Sequence, residues 1–279
     1  MPSRADQIEQ PACYLHRGID CVELFDYPAN TLPTLRKTLV RMRNSGCRTL
    51  SFHSPMPRPD HYTDSGVACT YLHEDSARRE ISFALLEDTL THAKDWEADY
   101  VVTHLTYGKT DTRDPGRAAA LATAACERFA ALSRAHDLPI DIEFAAYTAA
   151  FNTAAQFAAA VAPHPELGLC IDTGHAMLGA RLNRRDYFAD IRALAPRARS
   201  MHLWNTQGDG PEHIPLHPAQ SPAEGWIDLE QTLRIVLAHN PEINLVFEYP
   251  IAKVDRQIQS GYDWIKTMKA DILRKQTKP

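Results

Sequence analysis

Seven positions along the chain place a carboxylate or an imidazole at the end of an otherwise apolar run: Glu23, His53, His104, Glu143, Asp172, His202 and Glu248, with His175 three residues beyond Asp172. A charged or imidazole group ending such a run is costly to bury without a partner, and one divalent cation can satisfy several of them together. Taken singly, each would be an ordinary hydrogen-bonded rim residue, and Glu23 is read as one. As a set they predict a metal centre, because four of the 13 histidines of the chain (His53, His104, His175 and His202) fall in the same register. The sharpest local signal is LGLCIDTGHAMLGA, where an apolar strand delivers Asp172 and a glycine-containing turn presents His175 from the loop above it. An aspartate at that point could also simply cap a following helix.

Such residues can converge only if the runs that carry them lie side by side. Short apolar and β-branched runs at 19–25, 49–53, 100–105, 140–144, 167–172, 200–204 and 244–249 alternate with stretches of helical periodicity at 32–45, 76–97, 115–136, 148–162, 184–195, 229–238 and 260–274. Alternation of this kind predicts an α/β fold with a parallel sheet, and a chain of 279 residues matches a TIM (β/α)8-type barrel. No linker or composition break interrupts the pattern, so residues 1–279 read as a single domain. One strand of a full eight is missing. Residues 6–18 look like a short helix, so the first strand is absent or degenerate and the barrel is open or seven-stranded there. Barrel enzymes build their sites at the C-terminal ends of the strands, where the seven residues stand.

Composition narrows the partners. A formal charge of −5 repels polyanions and makes nucleic acid an unfavourable ligand. The densest basic stretch, 181–199, carries apolar residues at helical spacing and reads as a solvated helix face. No run is long enough to span a membrane, and MPSRADQIEQPACYLH lacks the apolar stretch of a signal peptide, which predicts a cytoplasmic protein. The six scattered cysteines read as reduced, buried thiols. The expected partner is a small-molecule substrate; the oligomeric state stays open, a homodimer among the options.

The segments IDCVELF, FHSPM, VVTHLTYG, IDIEF, IDTGH, MHLWN, AEGWID and LVFEYP follow in the order and approximate spacing of a known family. The chain resembles the xylose isomerase-like TIM barrels, which include sugar phosphate isomerases and epimerases and the endonuclease IV-type apurinic nucleases. The resemblance implies that Glu143, Asp172, His202 and Glu248 share a divalent metal, zinc or manganese first, with cobalt, iron or magnesium compatible. It implies that Glu143 and Glu248 move protons and that His175 hydrogen-bonds a substrate oxygen. His53 and His104 match positions that hold a further zinc in the nucleases, and His175 and His213 could serve a third. Pro211, however, stands where the nucleases need an aspartate. The loop GDGPEHIPLHPAQSPAEGWID should fold over the mouth, with His61, His213, His217, Trp204 and Trp226 shaping specificity. No phosphate-binding arginine follows MHLWN, and no glycine-rich phosphate cradle is visible. The implied activity is isomerisation or epimerisation of a small sugar or related hydroxy-carbonyl compound; the alternatives are metal-dependent phosphoester hydrolysis and another metalloenzyme reaction on the same barrel.

Overall fold

A computed structural model describes residues 15–44, 46–59, 69–106, 111–145, 148–250 and 253–276. Seven parallel strands, in the order of the chain, form one sheet: β1 (Cys21–Leu24), β2 (Thr49–His53), β3 (Tyr100–His104), β4 (Ile140–Glu143), β5 (Leu167–Asp172), β6 (Ala198–Leu203) and β7 (Asn244–Phe247). The sheet curls into a nearly closed TIM-type barrel, and helices surround it: α1 (Leu32–Asn44), α2 (Ser76–Asp95), α3 (Pro115–His136), α4 (Ala154–Val161), α5 (Thr173–Asn183), α6 (Tyr187–Leu194), α7 (Leu229–Leu237) and α8 (Arg256–Gln276).

Successive side chains on a strand point to opposite faces, so each strand divides its residues between two environments. Val22, Leu24, Leu50, Phe52, Val101, Ile140, Ile142, Leu167, Leu169, Ile171, Met201 and Leu203 pack with the helices in one large core. Their alternates face the barrel interior, and the strand register aligns them: Glu23 with Ser51, His104 with Glu143, Cys170 with Ser200, and Asp172 with His202. Among the described residues, Tyr100, Val102 and Cys170 form an apolar cluster there. Most of the rest of that column is polar, with Val246 of β7, in register with His202, a further apolar member. Below the mouth, Arg199 Nε donates to Asp141 Oδ1 at 2.7 Å and Ser200 Oγ donates to Asp141 Oδ2 at 2.8 Å. Gly168 makes this possible, because a Cβ there would stand 2.1 Å from Arg199 Nε and 2.5 Å from Asp141 Oδ1.

Helix starts follow local chemistry. Asp75, Asp114, Asp172, Asp186 and Asp228 each accept a backbone N–H from the first turn of α2, α3, α5, α6 and α7, a bond typically worth about 1 kcal/mol. Two expectations about helices need correction. The helix expected from 148 begins only at Ala154, because Thr153 and Gln156 form a reciprocal capping box that sets the start there. An unanticipated helix, α5, follows β5 directly, so His175 stands on a helical first turn and not on a loop.

No eighth strand is present among the described residues, as the missing sequence signal implied. Residues 15–18 are a bend and turn, not the end of a helix, and the rest of the expected 6–18 helix lies outside the described residues. This segment lies against β7 and α8. His16 stacks on Tyr262 at 4.7 Å between ring centroids and lies 3.1 Å from the Tyr249 hydroxyl. The Arg17 N–H donates to Gln259 Oε1, and the Tyr262 hydroxyl donates to the Gly18 carbonyl. The Cys21 thiol reaches from β1 to the Leu245 carbonyl of β7 at 3.2 Å.

Burial lowers the His16 pKa from 6.5 to about 4, against the opposing pull of Asp263. An unfolded chain therefore takes up a proton at this position below pH 6.5 that the folded chain refuses until about pH 4. Its contribution to stability is full above pH 6.5 and is progressively lost down to about 4, by up to about 3 kcal/mol. Denaturant unfolding of His16→Phe between pH 7 and 4 should show a shallower acid loss than the parent; equal slopes would contradict the assignment.

Candidate metal centre

The inward-facing ends of β4, β5 and β6 and the residue after β7 meet at one point. Glu143, Asp172, His202 and Glu248 each offer a ligand atom within 4.8 Å of the others. His202 Nδ1 lies 3.3 Å from Glu143 Oε2, 3.2 Å from Glu248 Oε2 and 4.0 Å from Asp172 Oδ2. Behind it, His202 Nε2 is 2.8 Å from Glu23 Oε1, at ion-pair distance but off the hydrogen-bonding axis, and Glu23 in turn accepts from Ser51 Oγ at 2.8 Å. Nε2 faces Glu23, and Nδ1 faces the carboxylates of Glu143, Asp172 and Glu248. Glu23 is thus an interior residue that orients His202, and not the rim residue expected. The signal that could have found it was its period-2 alignment with Ser51 on the neighbouring strand.

Glu143, 1% exposed, is the hub of the cluster. His53 Nε2–H donates to its Oε2 at 3.0 Å, and His175 Nδ1–H donates to its Oε1 at 2.9 Å; His104 Nε2 lies 3.3 Å from Oε2. His53 also donates through Nδ1 to the Ser54 carbonyl at 3.1 Å. His53, Glu143 and His202 form a second set with metal-compatible spacing. Among the described residues, His104 and His213 border the two sets without joining either. His213 stacks on Trp204 at 4.0 Å and 9° and donates through Nδ1 to the Glu248 carbonyl at 3.0 Å.

The electrostatics are those of a concentrated charge cluster. Burial pushes the Glu143 and Glu248 carboxyls up, but the surrounding imidazoles, His104 and His202 for Glu143 and His202 for Glu248, outweigh it and hold both below the usual carboxylate range. Asp172, fully buried, is pushed up to about 7 by burial. Burial opposes a charge on His175, yet Asp172 and Glu143 raise it to about 9; on His104 burial prevails and lowers it to about 4. His202 rises well above its ordinary value because Cys170, Glu23, Glu248 and Glu143 overcome its burial.

The donor set fits a divalent cation. Both ring nitrogens of His202 and Glu248 Oε2 are buried without a hydrogen bond, and such atoms usually have a partner. Three carboxylates converging on one imidazole nitrogen supply the hard and borderline donors that such ions take.

The loop after β6 departs from expectation at several points. Trp204 is 0% exposed, so it shapes no open loop; its Nε1–H donates to Asp172 Oδ2 at 2.8 Å. Asn205, also buried, organises the loop: its backbone pairs with Ile214, its Oδ1 accepts from Thr206 and Ile227, and its Nδ2 donates to Gln220. His217 is tied within the loop through Gln220 and Ala219, and Trp226 is half-buried. His61 lies outside the described residues. No helix among the described residues is long and apolar enough to cross a membrane.

Residues 15–268 match the xylose isomerase-like TIM barrel family, and the chain belongs to it. Among solved structures, it is similar to a D-tagatose 3-epimerase-like protein, at 15% identity and a TM-score of 0.69 over 92% of this chain and 90% of that one. A 3-keto-D-glucoside 4-epimerase from E. coli is similar at 12% identity and a TM-score of 0.64, over 90% of each chain. A xylose isomerase-like TIM barrel protein from Mycobacterium smegmatis, in complex with magnesium, is similar at 16% identity and a TM-score of 0.59, over 97% and 88%. At such identities these likenesses establish the fold. No curated protein matches the chain in sequence.

Chelation should lower the melting temperature of metal-loaded protein, since a ligand bound only by the folded state adds about 2.7 kcal/mol at a hundredfold excess over Kd, or roughly 5–10 °C for a chain of this size. Protons compete at Asp172, pushed up to about 7, so the shift should shrink as pH falls below about 7. A melting curve unchanged after confirmed metal removal would refute the site.

Proposed function

We propose that residues 1–279 form a single-domain, divalent-metal-dependent isomerase or epimerase acting on a small sugar or related hydroxy-carbonyl compound. The observation that carries this reading is the pair of glutamates, Glu143 and Glu248, each within 3.3 Å of the same His202 nitrogen and each held ionised by it. Glu143, Asp172, His202 and Glu248 would hold the ion, with zinc or manganese the first choice for a mixed carboxylate and imidazole set and cobalt, iron or magnesium compatible. The ion supplies Lewis acidity that makes a C–H beside a carbonyl easier to ionise.

The protein's own groups do the rest. One glutamate removes the proton and the other returns it, to the neighbouring carbon or to the opposite face. Glu248 is the more accessible of the two, its side chain 29% exposed against 1% for Glu143. Glu143 is fixed by His53 and His175, which limits its movement and keeps its basic oxygens aimed. His175, 14% exposed at its side chain, reaches the mouth and is placed to hydrogen-bond a substrate oxygen. The epimerases named among the structural neighbours support this substrate class.

Metal-assisted phosphoester hydrolysis is the second reading, favoured by one feature, the further grouping of His53, Glu143 and His202. Pro211 in place of an aspartate and the net charge of −5 weigh against it.

Glu143→Gln or Glu248→Gln should abolish turnover on ketose and aldose panels while leaving the far-ultraviolet circular dichroism intact; near-normal turnover by either variant would refute the assignment. Nicking of an abasic DNA duplex at low enzyme concentration with zinc present, lost in Asp172→Ala, would put hydrolysis first.

A further inference from the structure

Trp204 is among the largest fully buried side chains, and its surroundings hold it from several sides. A Cβ on Gly174 would stand 2.2 Å from the indole, so the glycine of IDTGH leaves the space that the ring occupies. Thr173 Oγ1 donates to the Trp204 carbonyl at 2.8 Å, and the Trp204 N–H lies 3.2 Å from the same hydroxyl. His213 stacks on the ring at 4.0 Å. These contacts aim a single polar atom, Nε1, whose N–H meets Asp172 Oδ2 at 2.8 Å. The other oxygen, Oδ1, accepts the His175 backbone N–H at 2.6 Å.

The torsion that rotates a carboxylate about its stem is soft and nearly two-fold, so one donor would leave Asp172 able to turn. Two donors, one from the first turn of α5 and one from the end of β6, fix it. They also leave lone pairs on both oxygens, since each carboxylate oxygen accepts more than one bond. Phenylalanine would fill the same space but provide no donor.

We infer that Trp204 is a positioning residue for the metal centre, orienting Asp172 through its indole N–H; the inference rests on the metal-dependent reading above. Through the stacked His213, whose Nδ1–H donates to the Glu248 carbonyl, the same unit extends to the backbone of a second ligand. The loop after β6 and two of the four ligands thus form one mechanical unit.

The test is titration of metal-stripped full-length protein with Mn2+ by calorimetry, parent beside Trp204→Phe, together with melting curves of both stripped forms and Co2+ absorption spectra. Loss of a group that orients a ligand typically costs about 10–100-fold in metal affinity. The expected result is that weakening in Trp204→Phe, with altered Co2+ bands and a stripped-form melting temperature close to the parent's. Equal Mn2+ affinity and an identical Co2+ spectrum in the folded variant would overturn the inference. Should Trp204→Phe fail to fold, the parent carries the test: the Trp204 indole N–H resonance should move in step with Zn2+ binding while that of Trp96 stays put, and a stationary Trp204 signal overturns it. A parent that binds neither Mn2+ nor Zn2+ refutes the metal-dependent reading and this inference together, whereas a binding parent with an unaffected variant refutes only the role of Trp204.

Discussion

Burying several carboxylates at one end of a barrel is the constraint on which the rest of the structure depends. Glu23, Glu143 and Asp172 are each 5% exposed or less and lie within one cluster of imidazoles. An isolated ionised carboxylate in such surroundings would take up a proton before paying the full desolvation cost. Here imidazoles approach Glu143 from His53, His104, His175 and His202, and those of His53, His175 and His202, all raised, keep its charge. The same imidazoles orient it, because a carboxylate held on both oxygens has little freedom left.

The barrel accommodates this by separating its two faces. Outward alternates of the strands are mostly apolar and build the core with the helices; inward alternates carry most of the polar groups, from the Asp141–Arg199 pair up to the candidate metal site. Stability and chemistry therefore reside on different side chains of the same strands, with the helix-facing core carrying most of the buried apolar area. Part of the interior satisfies itself: Ser51 donates to Glu23 and Ser200 donates to Asp141, while Glu23 meets His202 at ion-pair distance without a hydrogen bond.

Asp172 shows how closely fold and site are joined. It ends β5, caps α5 through the His175 N–H, accepts the Trp204 indole and contributes to the metal-compatible set. Of the two readings that its sequence context allowed, the helix cap is observed, one oxygen accepting the His175 N–H, while the other oxygen faces Trp204 and the same carboxylate belongs to the metal-compatible set. The cap in turn places His175 on a rigid helical turn beside Glu143.

The sequence by itself determined the alternation of strands and helices and the polar residues that end the strands, because strand periodicity and strand-end chemistry are local properties of the chain. Residues whose roles depend on a partner distant in sequence were legible only in the fold. Glu23 looked like a rim residue because nothing near it in sequence announces His202, 2.8 Å away across the barrel. Trp204, expected to shape specificity at the mouth, is instead fully buried, and the role of Asn205 is visible only once the loop is folded. Of helix α5 the sequence announced only a capping aspartate, because its first residues, Thr173 and Gly174, are poor helix formers. Tertiary structure alone decided which strand-end groups converge, since a separation of 4.8 Å or less among four side chains from four places in the chain is set by barrel curvature and strand register, and no local pattern encodes those.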